Sequence, residues 1–399
     1  MWEDTIDVAA VTEIRARSIC YLGVGAIAKI GDIVKELKKR EVGAVLVVTG
    51  KGSHIKTGAW DKIKAALDAE GVGFFLYDQV TPNPTADQVD AAVAGGRGKG
   101  AAAVIAVGGG SPIDAGKVAA ILLAYPDKNA RDVCRVSFAP EKAVPIVAVN
   151  LTHGTGTEMN RFAVVSIPEN DFKPALAFEC IYPLYSIDDP GLMTKLPEHQ
   201  TVYVSVDAVN HVIEASTTIL ASPYSIDIAK DVVRLVAKYL PIAKKDPGDL
   251  RARYFLLYAS LLAGIGFDNG LLHLTHGLEH PLSGLRPQLA HGSGLGIILP
   301  GIIREIYPVK GEVLAEVLAP IVPGLKGAAG EADVAAKGVR EWLTGVGIPA
   351  NLRAEGFVPE DVAKLIDLAF TTPTLDTLLG LSPVKATREA VKRIYETAM

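Results

Sequence analysis

The sequence predicts an α/β fold in two parts. An N-terminal doubly wound, Rossmann-like parallel-sheet domain is expected over residues 1–194, and an all-α helical domain over residues 195–399. Three observations lead there. Short apolar, strand-like runs alternate with helix-like segments through the first half, the order expected of a parallel sheet wrapped by helices. After DDPGLM (Asp188–Met193) the segments lengthen and take a helical period. The chemistry-bearing motifs divide the same way, with glycine-rich turns in the first half and clustered histidines in the second.

Each element has a local reason. AVLVV (Ala44–Val48) is a buried strand bounded by Gly50, and an amphipathic helix follows at Trp60–Ala69. FFLYD (Phe74–Asp78) is the next strand, stopped by the two prolines of TPNPT. A helix is expected at Ala86–Gly95, then strands at Ala102–Val107 and Pro145–Val149. Continuous apolar runs of this kind suit a sheet covered on both faces. A linker is expected near Asp188–Leu196. Helices are expected beyond it at Ser225–Tyr239, Leu250–Leu272, Leu295–Tyr307, Glu331–Thr344 and Pro359–Ala369. The segment before Cys20 is a candidate extra strand for a partner chain.

Composition narrows the function. The chain has 399 residues, 49% of them hydrophobic, and a formal charge of −5. A sizeable core can form, and the absence of a basic block argues against nucleic acid and anionic membranes as partners. Cys20, Cys134 and Cys180 form neither a disulfide framework nor a metal spacing. The acidic start MWEDTIDVAA lacks the order of a signal peptide. The apolar run at Leu295–Leu299 is too short to span a bilayer. A cytoplasmic location is expected.

Two loops follow strands directly. In GGGSPIDAGK (Gly108–Lys117) the glycines permit a sharp turn and close approach to a ligand. Ser111 is expected to cap the following helix, with Pro112 at its first position. Its amides and dipole then suit an anion such as a pyrophosphate. NLTHGTGTEM (Asn150–Met159) adds Thr152, Thr155 and Thr157 at the same sheet end.

In the second half, DAVNHVIEA places Asp207 and His211 four apart, on one helical face. THGLEHPLSGLRPQLAHG adds His276 on a downstream helix and His291 in the turn after it. One carboxylate and three imidazoles make a ligand set for a divalent metal such as Zn2+ or Fe2+. A metal held this way can polarise an alcohol or carbonyl oxygen.

Taken together, VGGGSPIDAGK, HGTGTE, DAVNHVIEA and HGLEHPL…LAHG appear in the order found in group III, iron-containing alcohol dehydrogenases, and the chain resembles that family from about Leu22 to Pro300. The resemblance implies a dinucleotide-binding domain and a helical domain with the metal and nicotinamide in the cleft between. It implies Asp207, His211, His276 and His291 as metal ligands, with Fe2+ favoured over Zn2+. His280 matches an additional histidine near the nicotinamide, where an imidazole can relay a proton. Gly109, Gly110 and Ser111 match the pyrophosphate loop. Asn83, Thr152 and Lys173 match further cofactor-site positions, while Asp114 is expected to hold its own loop.

Departures from the family carry information. Where many members have an acidic residue facing the adenosine ribose, this chain has Gly50 and Lys51. Neither repels a 2′-phosphate, so the cofactor is NAD or NADP. Leu151, His153 and His273 also depart from the usual residues, and Glu279 is not expected to be a ligand. The expected reaction is reversible hydride transfer between a small primary alcohol and the nicotinamide. A polyol (glycerol-type) dehydrogenase and a lyase similar to dehydroquinate synthase are the alternatives. The lyase would need several cations near the metal, and Leu271–His291 supplies only Arg286. The family also implies a homodimer or larger homo-oligomer.

Overall fold

The structure is a computed structural model describing residues 2–5 and 13–399. Much of the segment proposed to extend a partner's sheet, residues 6–12, lies outside the described residues. The strands are β1 (Ile19–Leu22), β2 (Ala44–Gly50), β3 (Gly73–Val80), β4 (Ala103–Gly108), β5 (Ile146–Asn150), β6 (Phe162–Val164), β7 (Ala175–Ala177) and β8 (Tyr185–Asp188). Among the described residues six of these form one sheet in the order β1-β8-β5-β4-β2-β3, every neighbouring pair parallel. β6 and β7 form a separate antiparallel hairpin. Both ICYL (β1) and YSID (β8) escaped the sequence reading, because each is only four residues long and mixes polar with apolar side chains.

The helices of the first half are α1 (Ile30–Lys39), α2 (Ser53–Lys56), α3 (Ala59–Glu70), α4 (Ala86–Gly98), α5 (Gly110–Ala124) and α6 (Ala130–Cys134). β2 shows why they cover both faces. Leu46 and Val48 pack on one side with Val93, Ile113 and Ile121. Val45 and Val47 pack on the other with Ile33, Leu37 and Ile63. Side chains alternate faces along a strand, and each such buried residue contributes roughly 1.5–3 kcal/mol. Helix α4 starts at a capping box, in which Thr85 Oγ1 accepts from the Gln88 amide and Gln88 Oε1 accepts from the Thr85 amide.

The second half is helical: α7 (Glu198–Ala215), α8 (Pro223–Lys245), α9 (Leu250–Gly270), α10 (Leu274–Leu285), α11 (His291–Leu318), α12 (Ala332–Val346), α13 (Asp361–Thr371), α14 (Leu375–Gly380) and α15 (Arg388–Ala398). Its core joins Val209 and Ile213 of α7 with Val236, Leu256, Ile298 and Ile302. His291 is the first residue of α11 and not part of a preceding turn, as the sequence had suggested. No single helix among the described residues is long and apolar enough to cross a membrane.

The halves meet backbone to backbone. Gly156, at φ +60°, lies against Gly264 of α9, where an added Cβ would come within 2.2 Å of the Gly156 carbonyl oxygen. Gly154 is equally tight, a Cβ there falling 2.5 Å from the Val204 carbonyl of α7. Nearby, the buried Arg253 guanidinium donates to Thr201 Oγ1 at 2.8 Å and lies 3.1 Å from His153 Nε2. His153 therefore joins the halves, and burial together with Arg253 lowers its pKa to about 3, keeping it neutral.

At the end of β8 the buried Asp188 accepts from Asn150 Nδ2 at 3.2 Å and from the Cys20 thiol at 3.4 Å, close to the buried Glu158. Burial raises the Asp188 pKa from 3.8 to about 7.

Two consequences can be measured. Gly264→Ala should lower stability by about 1–3 kcal/mol through overpacking, read as a fall in thermal midpoint; an unchanged midpoint would contradict the contact. For Asp188 the folded state binds a proton that the unfolded chain releases, so this stability is complete below pH 3.8 and is lost as pH rises toward about 7. Asp188→Asn, a neutral isostere, should flatten the decline in thermal midpoint across that window.

Candidate active site

In this sheet order, β2 leads to β3 on one side while β4 leads to β5 on the other. The carboxyl ends of β2 and β4 therefore flank a topological switch point, where open α/β sheets place ligands. A cavity of about 1110 Å³ opens there. Gly50, Gly109, Thr152 and Lys173 line one side, and Asp207, His211, His276, His280 and His291 line the other.

The glycine turn is tight for steric reasons. Gly108 sits at φ +153°, and a Cβ on it would come within 2.5 Å of Pro112. A Cβ on Gly109 would lie 2.8 Å from Thr152, and one on Gly110 2.6 Å from Thr155. The two loops named from the sequence are thus pressed together. Gly109, not Ser111, is the N-cap of α5, and no side chain caps it. Ser111 is already inside the first turn, so the expected cap is corrected. The first amides of α5 are left without a side-chain acceptor at the cleft, which favours an anionic ligand. Asp114 holds the neighbouring loop, accepting from Thr157 Oγ1 at 2.7 Å and the Val164 amide at 2.9 Å.

The histidine cluster comes from three helices. Ligand atoms of Asp207 (α7), His276 (α10) and His291 (α11) lie within 4.8 Å of one another. Asp207 Oδ1 is 3.6 Å from His276 Nε2 and 3.5 Å from His211 Nδ1. The His211 ring stacks on His276 at 4.5 Å and on Phe267 at 4.5 Å. Among the described residues Asp207 Oδ1, His211 Nδ1 and His276 Nε2 are buried without a hydrogen-bond partner. Three orphaned, converging donor atoms of this chemistry fit a divalent cation.

Behind the cluster stand two carboxylates. Glu214 Oε2 bonds His276 Nδ1, while its Oε1 accepts the amides of His273, Thr275 and His276 at the start of α10. Burial pushes the Glu214 carboxyl up, but His276, His273 and these amides outweigh it and hold the pKa at about 2. Burial likewise lowers His276, yet Glu214 and Asp207 raise it to about 9. Asp207 is held at about 2 by His211, His276 and His291 against its own burial. Burial depresses His211 to about 4. Glu279, fully buried, bonds His291 Nδ1 and accepts from Ser283.

The other predicted positions are placed as follows. Lys173 Nζ lies 3.3 Å from Glu279 Oε2 and 3.3 Å from His291 Nδ1, so its ammonium turns toward the histidines. His280 is buried, its Nδ1 has no partner among the described residues, and burial with Lys173 holds its pKa well below the usual value. Asn83, at φ +54°, donates to the Pro287 carbonyl at 2.8 Å and spans the cleft. Gly50 ends β2, and Lys51 and Ser53 line the cleft beside it. His273 packs inside the helical half, 2.9 Å from Thr217 Oγ1.

Sequence reasoning missed Glu214 as a partner of the site, although it stands seven residues after Asp207 on the same helical face. The apolar wall of the cavity is made by Phe162, Phe267, Leu271, Leu272, Leu378 and Leu381, none of which the sequence reading singled out. No motif marks those residues.

Residues 18–190 match the family described as iron-containing alcohol dehydrogenase, and residues 201–399 match the C-terminal part of the Fe-containing alcohol dehydrogenase family. The chain is 57% identical, over 99% of both chains, to a long-chain primary alcohol dehydrogenase of Thermoanaerobacter ethanolicus. It is 29% identical to an NADPH-dependent butanol dehydrogenase of Clostridium saccharobutylicum, over 94% of this chain and 95% of that one. The solved NADH-dependent butanol dehydrogenase A of Thermotoga maritima superposes with a TM-score of 0.89 at 28% identity, covering 97% of this chain and 98% of that one. The chain belongs to the iron-containing alcohol dehydrogenase family, and it is an oxidoreductase that acts on small-molecule alcohols with a metal and a nicotinamide dinucleotide.

Proposed function

We propose that the protein is a primary-alcohol dehydrogenase and aldehyde reductase that prefers NADP(H). Its dinucleotide domain spans residues 1–194 and its metal domain residues 195–399. Asp207, His211, His276 and His291 are assigned as ligands of Fe2+. The observation that carries the reading is the convergence of orphaned atoms on Asp207, His211 and His276 in the cavity that the glycine turn also lines.

When bound, the cation supplies a Lewis acid for the alcohol oxygen, and the nicotinamide supplies the hydride acceptor. The chain does the rest. Gly109, Gly110, Ser111 and Thr152 seat the pyrophosphate against the start of α5. Glu214 and Glu279 hold the Nδ1 sides of His276 and His291, leaving the opposite nitrogens for the cation. His280, whose buried Nδ1 has no hydrogen-bond partner among the described residues, relays the hydroxyl proton onward without keeping it, since burial and Lys173 disfavour its charged form. Phe267 and the neighbouring leucines exclude water and receive the alkyl chain.

The preference for NADP(H) rests on Gly50, Lys51 and Ser53 at the end of β2, where no carboxylate lines the cleft. An apolar wall favours an aliphatic alcohol over a polyol. The lyase alternative loses support, because Lys173 is taken up by Glu279 and Arg161 by Glu179 and Asp268.

His276→Ala should cut turnover roughly a thousandfold and remove most of the bound metal while circular dichroism stays native. Full turnover by that variant after chelation rules out the metal role. Gly50→Asp should lower the NADP-to-NAD ratio of kcat/KM by about tenfold or more, since a carboxylate repels the 2′-phosphate. An unchanged ratio places the adenosine elsewhere.

A further inference from the structure

Leu271 has a backbone that leucine rarely adopts. It ends α9 at φ +62°, ψ −177°, a region populated almost entirely by glycine and costly for any side chain. The chain turns through 109° between α9 and α10 at this point. Such a conformation persists only when its surroundings force it, and here both sides are clamped. A Cβ on Gly270 would lie 2.2 Å from the Ala215 carbonyl, and Thr218 Oγ1 donates to the Gly270 carbonyl at 2.6 Å. Two residues further on, the His273 amide donates to Glu214 Oε1 at 3.0 Å. Any side chain at position 271 is thereby committed to one direction.

That direction is the cleft, whose wall includes Leu271. One helical turn earlier, Phe267 stacks on His211 of the metal cluster. Leu272, Leu378 and Leu381 line the same cavity. An alkyl chain whose hydroxyl lies at the histidines and whose carbons follow α9 passes Phe267 first and Leu271 next.

We propose that Leu271 is a specificity-determining residue of the alcohol subsite. Its side chain, fixed in the cleft by a glycine-type backbone, forms the apolar contact that reads the length of an unbranched alkyl chain. The inference rests on the alcohol dehydrogenase reading above. It adds that the clamps on either side of the α9–α10 turn hold the contact in place against backbone strain.

The test compares the unaltered protein with Leu271→Gly and Leu271→Ala. Glycine removes both the strain and the side chain, whereas alanine removes only the side chain. The thermal midpoint of Leu271→Gly should lie several degrees above that of Leu271→Ala; the reverse order overturns the strain argument. In both variants kcat/KM for 1-hexanol relative to ethanol should fall about tenfold, the scale expected when apolar contact with a methylene or two is lost. A ratio within about twofold of the parent overturns the specificity role. If the unaltered, metal-loaded protein oxidises neither alcohol, the dehydrogenase reading fails and takes this one with it, whatever the midpoints show.

Discussion

Glu214 lies at the N-terminus of α10, where the first amides of a helix have no partner of their own. One of its oxygens accepts three of those amides, and the other takes the imidazole of His276. The same α7 that carries Glu214 also carries Asp207 and His211. A single buried carboxylate therefore sets the angle between α7 and α10 and fixes which nitrogen of His276 faces the cluster. Its charge is favoured there by the helix dipole and by the ring it binds. Removing it would leave buried amides and a buried ring without a partner, which costs far more than one surface ion pair. Glu279 repeats the arrangement for His291 and brings in Lys173, so the charges around the histidines alternate in sign.

Much of this was legible in the residue order, for local reasons. Leu46 and Val48 alternating with Val45 and Val47 are a strand buried on both faces, and the sheet uses them that way. The triple glycine at Gly108–Gly110 marks a turn that only glycine can make, as the contacts with Pro112, Thr152 and Thr155 bear out. Asp207 and His211 share a helix face whatever that helix packs against.

What stayed hidden depends on contacts distant in sequence. The β1 and β8 segments are strands because β8 pairs with both β1 and β5, and four residues apiece are too few to show a strand pattern on their own. Ser111 looked like a cap, but the close approach of the threonine loop moves the helix start to Gly110. Leu271 has nothing in its neighbourhood to announce a glycine-type backbone. Glu214 and Ala215 of α7 and Thr218 in the turn after it impose it from outside.

The loop after Thr155 is secured differently. Beneath it lies Lys117 of α5, fully buried, its ammonium bonded to the carbonyls of Thr157, Asn160 and Phe162 and to Thr157 Oγ1. Burial lowers its pKa to about 8, while Asp114, Glu158 and Asp268 oppose the shift. A charge enclosed in this way lies beyond the reach of counterions. The exposed pair Lys64–Asp68, on the outer face of the same half, is open to screening. Added salt therefore weakens the Lys64–Asp68 pair while leaving the Lys117 contacts beneath the Thr155–Phe162 loop intact.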